Sequence, residues 1–143
     1  MFLGEYEYKI DPKGRIAIPP RFRGEFWEGI VLARGFDGCI AAYPPPVWQE
    51  IADRFGTLPF TRSKSRRISR AIFSTAFSLE LDEQGRVMLP APLRQYAAIG
   101  DSAVVAGVNN YLEIWGKERW QQETELIGEQ AWQIAEGMEM DRE

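Results

Sequence analysis

Polar and apolar residues alternate near the start of the chain. Tyr6, Tyr8 and Ile10 are separated by charged residues, which is the period of a strand with one buried face. The next four residues, 11–14, read Asp-Pro-Lys-Gly. Asp can bond its own backbone, Pro fixes φ, and Gly can take the positive φ that closes a turn. The pattern therefore predicts a β-hairpin whose return strand covers residues 15–18.

The chain carries this pattern twice. Residues 82–94 repeat residues 11–23 at an offset of 71, and the apolar positions of the two segments match in kind. Five aligned pairs are identical: Asp11/Asp82, Gly14/Gly85, Arg15/Arg86, Pro19/Pro90 and Arg23/Arg94. At this period the repeat indicates a duplicated domain rather than a solenoid.

Each copy of the pattern is followed by a proline that favours a short helix, then by a second hairpin and a further helix. For the first copy we predict a helix over residues 20–27, strands over 30–34 and 39–43, and a helix to about residue 55; a connecting helix over 61–73 follows. The second copy predicts strands over 77–81, 86–89, 103–107 and 111–115 before a long terminal helix. From the second hairpin onward the offset becomes 72, which aligns Gly35 with Gly107. The five tryptophans fall at positions that we expect to face the core: Trp27, Trp48, Trp115, Trp120 and Trp132.

The composition excludes several classes of protein. With 143 residues and a hydrophobic fraction of 45%, the two halves are expected to share one core, because each alone would bury too little surface. Cys39 is the only cysteine and histidine is absent, so the sequence predicts no disulfide, no metal, no cofactor and no enzyme chemistry. No signal peptide or membrane-spanning run is evident, which predicts a cytoplasmic protein that does not bind a membrane. Because no enzyme signature is found, no small-molecule substrate is expected.

The net charge of −4 hides a locally basic body. Residues 117–143 hold three basic and eight acidic residues, whereas residues 1–116 hold fourteen basic and thirteen acidic ones. One stretch is basic and has no acid: Arg62, Lys64, Arg66, Arg67 and Arg70. Such a run is usually a solvated helix face, and it can also pack against another subunit or contact DNA.

Four features together resemble the MraZ family of bacterial regulators, over roughly residues 1–135. They are the opening Met-Phe-Leu-Gly-Glu-Tyr, the two Asp-x-x-x-Arg turns, the Arg-Arg-x-x-Arg run at 66–70, and Leu-Glu-Ile-Trp at 112–115 before a helix. The resemblance implies an α+β fold, mainly β, in which two AbrB-like (SpoVT/AbrB) units in one chain form a swapped-hairpin β-barrel as an intrachain pseudo-dimer.

On this resemblance we divide the chain into four parts. Residues 5–48 and 76–120 are the two AbrB-like domains. Residues 49–75 form a helical connector with the basic stretch, and residues 121–143 form an acidic C-terminal helix or tail.

The resemblance also implies a function. It predicts a DNA-binding transcriptional repressor that recognises short direct repeats upstream of the cell-division and cell-wall gene cluster, including its own promoter. The expected partner is double-stranded DNA, and the expected assembly is a ring-shaped homo-oligomer associated with the nucleoid.

The family's DNA-contact element is the Asp-x-x-x-Arg motif, which carries over to Lys13, Arg15 and Arg86. Their motif partners are Asp11, Gly14, Asp82 and Gly85, and weaker candidates are Arg66, Arg67 and Arg70. The competing interpretation is an Asp–Arg pair that only locks each hairpin. The second copy replaces Pro-Lys by Glu-Gln, so Arg86 is the less secure contact. Arg23 and Arg94 are expected to be structural.

A second interpretation is an AbrB-like antitoxin that binds a protein partner through its C-terminal segment. The acidic end of the chain favours it. The presence of two AbrB-like units in one chain argues against it, because antitoxins of this type usually carry one.

Overall fold

A computed structural model describes the backbone of residues 1–141 and the side chains up to residue 138. The predicted C-terminal part, 121–143, therefore ends in two residues that lie outside the described ones. The strands are β1 (Glu5–Lys9), β2 (Arg15–Ala17), β3 (Ile30–Arg34), β4 (Ile40–Tyr43), β5 (Phe77–Leu79), β6 (Arg86–Met88), β7 (Ser102–Val108) and β8 (Tyr111–Gly116). The helices are α1 (Pro45–Gly56), α2 (Ser63–Phe73), α3 (Ala91–Tyr96) and α4 (Lys117–Asp141), with a 3₁₀ helix at Pro20–Phe26.

Six strands form one antiparallel sheet in the order β1-β7-β8-β4-β3-β5, and β2 pairs with β6 in a separate two-stranded sheet. Together with the helices this confirms the predicted α+β class. The predicted domain divisions at residues 48 and 120 fall within helices α1 and α4, and they stay predictions.

The strand registers reveal a pseudo-two-fold axis between the halves. In the small sheet, Ile16 pairs with its repeat equivalent Val87. In the large sheet, Ala41 pairs with its equivalent Glu113. A residue that pairs with its own repeat equivalent must lie next to the axis, so the axis passes through the centres of both sheets.

The prediction that each Asp-x-x-x-Arg turn joins two paired strands of a hairpin is wrong: β1 does not pair with β2, and β5 does not pair with β6, because the strands are exchanged across this axis. Strand β1 of the first half pairs with β7 of the second half, and β5 of the second half pairs with β3 of the first. Neither half can therefore complete its sheet alone, which explains why the chain forms one core.

The predicted alignment of Gly35 with Gly107 is wrong. Ile30 pairs with Leu79, whereas Ala103 pairs with Tyr8, the repeat equivalent of Leu79. The offset from β3 to β7 is therefore 73, and the offset from β4 to β8 is 72. The hairpin between β7 and β8 is thus one residue shorter than its counterpart, which a comparison of sequences alone does not reveal.

The main core lies between the large sheet and the β2–β6 pair. Its buried residues come from both halves, and they include Ile16, Ile18, Phe22, Phe26, Leu32, Val87, Leu89, Leu93, Val105 and Ile114. The opposite face of the sheet carries a second cluster of Cys39, Val104 and Trp115 with the half-buried Trp120. Helices α1, α2 and α4 contact the large sheet on this second side.

The prediction that all tryptophans face the core is wrong for Trp27 and Trp132. Trp115 is buried, but Trp27 and Trp132 are each 80% exposed. Phe26 takes the inward position of the 3₁₀ helix and stacks on Phe2, so the next side chain turns to solvent. Trp132 lies on the distal part of α4, where nearly every side chain is exposed. Among the described residues, no helix combines the length and the apolar character needed to cross a membrane.

Candidate nucleic-acid interface

The first Asp-x-x-x-Arg loop is a closed hydrogen-bonded turn. Oδ1 of Asp11 accepts from the backbone N–H groups of Lys13 and Arg15, both at 2.9 Å. Its Oδ2 accepts from Nε of Arg15 at 2.7 Å, and the N–H of Gly14 donates to the Asp11 carbonyl at 2.9 Å. One aspartate thus fixes both the turn and the arginine that follows it.

The second loop has the same geometry. Asp82 accepts from the N–H groups of Gln84 and Arg86 and from Nε of Arg86, each at 2.9 Å. The N–H of Gly85 donates to the Asp82 carbonyl at 2.9 Å. The prediction of two matching turns is therefore confirmed at the level of individual hydrogen bonds.

The pairing of β2 with β6 brings the two loops together. NH1 of Arg15 lies 3.7 Å from Oδ2 of Asp82, and NH1 of Arg86 lies 3.5 Å from Oδ2 of Asp11. The four side chains therefore form one cluster, which we call the Asp–Arg quartet. All four are partly exposed, so the quartet lies at the surface, where the arginines can reach a ligand.

The hydrogen bonds within the loops lower the pKa values of both aspartates. For Asp11 the largest cause is the bond from the Arg15 backbone N–H, and for Asp82 it is the equivalent bond from Arg86. Partial desolvation opposes this decrease in pKa, and the arginine side chains add to it. Both carboxyl groups therefore stay ionised well below neutral pH.

Arg23 and Arg94 connect each half to the loop of the other half. Nε of Arg23 donates to the carbonyl of Ile18 at 3.0 Å, and Nε of Arg94 donates to the carbonyl of Leu89 at the same distance. A Cβ placed on Gly85 would lie 2.1 Å from Nε of Arg23. Their predicted structural role fits these contacts, but nothing in the sequence indicated which loop each arginine covers.

The charges around the paired loops are unequal. Counting the loops and the arginines that cover them, five cations face three carboxylates: Lys13, Arg15, Arg23, Arg86 and Arg94 against Asp11, Asp82 and Glu83. The exposed Lys13 belongs to the first loop, and the exposed Glu83 belongs to the second loop. The surface is therefore net positive, and more so at the first loop.

The structure does not bring Arg66, Arg67 and Arg70 to this surface. They are exposed on α2, which contacts β3 and places Phe73 against Trp48. Helix α2 therefore lies on the face of the large sheet opposite the β2–β6 pair. Among residues 1–138, no cluster of three metal-ligating side chains is present.

The comparisons with known proteins agree with the duplication. A family model described as "MraZ protein, putative antitoxin-like" matches residues 1–71 and again residues 72–138. Two matches in one chain, related by the pseudo-two-fold axis, confirm the predicted duplicated AbrB-like fold.

Curated relatives match over nearly their whole length. A protein of Dehalococcoides mccartyi is 49% identical over 97% of this chain and 99% of its own. A protein of Herpetosiphon aurantiacus is 49% identical over 95% of each chain, and one of Moorella thermoacetica is 43% identical over 96% of each. Each of the three is named transcriptional regulator MraZ. The chain belongs to the MraZ family.

Proposed function

We propose that this protein is a DNA-binding transcriptional regulator that represses genes by binding short direct repeats. These repeats lie upstream of the cell-division and cell-wall gene cluster, and some of them lie in the promoter of the protein's own gene. The observation that carries the proposal is the Asp–Arg quartet, which fixes two arginines side by side on a net positive surface.

The guanidinium groups are held in a way that leaves donors for DNA. Each arginine donates from Nε to its own aspartate. Its NH1 lies farther from the opposite aspartate, at 3.7 Å for Arg15 and 3.5 Å for Arg86. Arginine has five N–H donors in a rigid fork, which suits guanine O6 and N7 or a phosphate. Orientation by aspartate lowers the entropy that the side chain would lose on binding.

The two loops contribute unequally in this proposal. Lys13 adds a cation beside Arg15 that can contact a DNA phosphate. Glu83 instead adds a negative charge beside Arg86, and this charge repels the negatively charged DNA backbone. Arg15 is therefore the principal contact and Arg86 the weaker one. Repeated loops in a ring-shaped homo-oligomer would meet repeated boxes on DNA, so that weak single contacts add through multivalency.

The test is Arg15→Ala, measured by fluorescence anisotropy on double-stranded DNA from upstream of the protein's own gene. We expect affinity to fall by about fivefold to 150-fold, which corresponds to the ~1–3 kcal/mol of one bidentate contact. Arg54→Ala is the matched control, because Arg54 is an exposed arginine on α1. Loss of affinity in both variants, or in neither, would contradict the assignment of the loops.

The salt dependence separates the two loops. Lys13→Ala should reduce the slope of log affinity against log salt by about one, because one fewer phosphate is neutralised. Glu83→Ala should leave the contacts intact and raise the affinity, because it removes a like charge. A fall in affinity for Glu83→Ala would show that the second loop works differently.

An antitoxin-type function remains the second proposal, and the exposed apolar side chains of α4 favour it. Leu126, Ile127, Trp132 and Ile134 are exposed. Deletion of residues 121–143 distinguishes the two functions. If DNA binding survives the deletion and a protein partner is lost, the antitoxin function is favoured; if no protein partner is lost, the regulator function is favoured.

A further inference from the structure

Trp27 lies between two surface grooves. The first, of about 490 Å³, runs from the 3₁₀ helix to the start of α1, and the second, of about 340 Å³, lies beside the second Asp-x-x-x-Arg loop. Trp27 lines both grooves and is 80% exposed. One indole therefore borders two depressions and keeps most of its apolar surface open to solvent.

The pseudo-two-fold axis gives the first groove a counterpart of the same volume, about 490 Å³. Four residues of one lining are the repeat equivalents of four residues of the other: Trp27 and Ala98 at the offset of 71, then Pro45 and Lys117, Pro46 and Glu118, and Val47 and Arg119 at the offset of 72. The fold therefore forms this groove twice, once with an apolar wall and once with a polar wall.

The apolar wall is not required by the fold. Phe26 and its repeat equivalent Ala97 are both buried in the shared core, and the next residue is exposed in each half. That residue is Trp27 in the first half and the small Ala98 in the second. Met1 adds a further apolar side chain to the first groove and is 81% exposed. Clustered exposed apolar side chains mark an interaction surface, whereas single ones need no explanation.

Four glutamates flank the indole. Glu25 and Glu28 line the first groove, and Glu80 and Glu83 line the second. All four are exposed, and within residues 1–138 none of them forms an ion pair. The repeat equivalents of three of them are uncharged or basic: Tyr96 for Glu25, Lys9 for Glu80 and Pro12 for Glu83. The glutamates, like the indole, are therefore not imposed by the repeat.

Two cations belong to the same linings. The first groove has the amino group of Met1 against two carboxylates, and the second has Arg23 against three, because Asp82 also lines it. Nε of Arg23 already donates to the Ile18 carbonyl, and Asp82 already accepts from Arg86. Both grooves therefore keep a net negative charge, and two glutamates in each are available to a ligand.

We propose that these grooves bind an extended basic segment of a different protein. A Lys or Arg side chain of the segment lies on the face of Trp27, and an adjacent apolar side chain occupies the first groove against Pro45 and Val47. Tryptophan is the aromatic side chain that attracts a cation most strongly, and the flanking carboxylates attract the same charge. An extended segment is required because a small cation would occupy one depression, whereas the indole and the glutamates join two.

Other ligands fit this surface less well. Double-stranded DNA and anionic lipid both present phosphates, which a net negative surface repels. The site also differs from α4, to which the antitoxin-type function assigns its protein partner. The proposal adds a partner to the regulator, and it does not rest on DNA binding by the Asp–Arg quartet.

Peptide selection tests the chemistry of the partner. A display library of random peptides is selected on the full chain and then depleted on the variant Trp27→Ala, so that the remaining peptides depend on the indole. We expect these peptides to be enriched in Lys and Arg next to an apolar residue. Trp27→Ala is expected to fold, because Ala98 fills the equivalent position, and its urea midpoint checks this. A library that leaves no such peptide, or that leaves acidic ones, would overturn the proposal.

Fluorescence anisotropy with the tightest-binding of these peptides measures the contribution of the indole. Trp27→Ala should weaken binding about tenfold or more, as expected for a tryptophan at the centre of an interface. The matched control is Trp132→Ala, because Trp132 is also 80% exposed but lies on α4. The control should bind the peptide like the wild type, and an equal loss in both variants would contradict the site.

The same assay measures the contribution of charge. Glu25→Gln with Glu28→Gln should weaken peptide binding about twofold to tenfold, because two exposed carboxylates no longer attract the basic segment. The matched control is Glu125→Gln with Glu129→Gln, which removes two exposed acids from α4 and should leave the affinity unchanged. A loss of the same size in the control pair would show a general effect of net charge and would overturn the proposed contact.

Two further measurements exclude other occupants. Light scattering should give Trp27→Ala the same mass as the wild type, and anisotropy on the promoter DNA should give it an affinity close to that of the wild type. A changed mass would assign the grooves to a second copy of the chain, and a loss of DNA affinity as large as that of Arg15→Ala would assign Trp27 to the DNA surface. Either result would overturn the proposal, whereas failure of the proposed function would leave the peptide measurements unchanged.

Discussion

Gly14 and Gly85 occupy equivalent loop positions, yet the structure predicts different costs for replacing them by alanine. Their φ angles are +81° and +76°, a left-handed conformation that disfavours any Cβ. A Cβ on Gly14 would lie 3.3 Å from Cζ of Arg94, which a small shift can relieve. A Cβ on Gly85 would lie 2.1 Å from Nε and 2.4 Å from Cδ of Arg23, so that Arg23 must move.

The magnitudes follow from these contacts. The left-handed backbone alone costs about 1–2 kcal/mol for a residue with a Cβ, and this applies to both sites. Moving Arg23 also breaks its hydrogen bond to the Ile18 carbonyl, and bonds to charged groups contribute about 1.5–3 kcal/mol, part of which water replaces because Arg23 is half-exposed. We therefore expect about 1–2 kcal/mol for Gly14→Ala and about 2–4 kcal/mol for Gly85→Ala.

Urea unfolding followed by tryptophan fluorescence measures both costs. In an Arg23→Ala background the cost of Gly85→Ala should fall to that of Gly14→Ala, which is a coupling of about 1–2 kcal/mol between neighbours. An Arg94→Ala background should leave the Gly85→Ala cost unchanged. Equal costs at the two glycines, or no coupling to Arg23, would refute the argument.

Three further predictions concern stability and reactivity. Trp115→Ala should cost about 3–5 kcal/mol and Trp27→Ala less than about 0.5 kcal/mol in the same urea assay, because the first side chain is buried and the second is 80% exposed. Because the pKa values of Asp11 and Asp82 are lowered in the folded state, the stability that these carboxylates contribute is complete above the ordinary pKa of 3.8 and is lost as the pH falls through the lower folded-state values. The urea midpoint of the wild type should therefore decrease on acidification, and it should decrease less in the double variant Asp11→Asn with Asp82→Asn. Burial raises the pKa of the Cys39 thiol, so a disulfide reagent at pH 8 should modify it slowly in the native protein and at once in urea.

Much of the local structure could be predicted from the sequence. The turn residues of 11–14 and 82–85 act on their own backbone, so both turns follow from residue type alone, although the strands on either side of each turn do not pair with each other. The proline positions likewise predict where the short helices begin, at Pro20 and Ala91. These predictions succeed because each depends on interactions within a few residues.

Contacts between the halves could not be predicted in this way. The pairing of β2 with β6 joins residues about seventy positions apart, and no local pattern shows that two hairpins exchange partners. For the same reason the sequence predicted two Asp–Arg pairs rather than one quartet. The burial of Trp27 was overestimated because the period of a short helix cannot decide which of two adjacent aromatics turns inward.

The quartet changes the question of whether Arg86 is structural or contacts DNA. A structural role of Arg86 uses Nε, which donates to Asp82. A role in binding uses the terminal nitrogens, which lie at 3.5 Å or more from the opposite aspartate. One guanidinium can therefore serve both purposes, since the donors are different atoms. The same holds for Arg15, so the two arginines differ less in their own geometry than in their neighbours. Because Lys13 stands beside one and Glu83 beside the other, the difference between the two loops lies in the electrostatic potential around each arginine rather than in the fold of either loop.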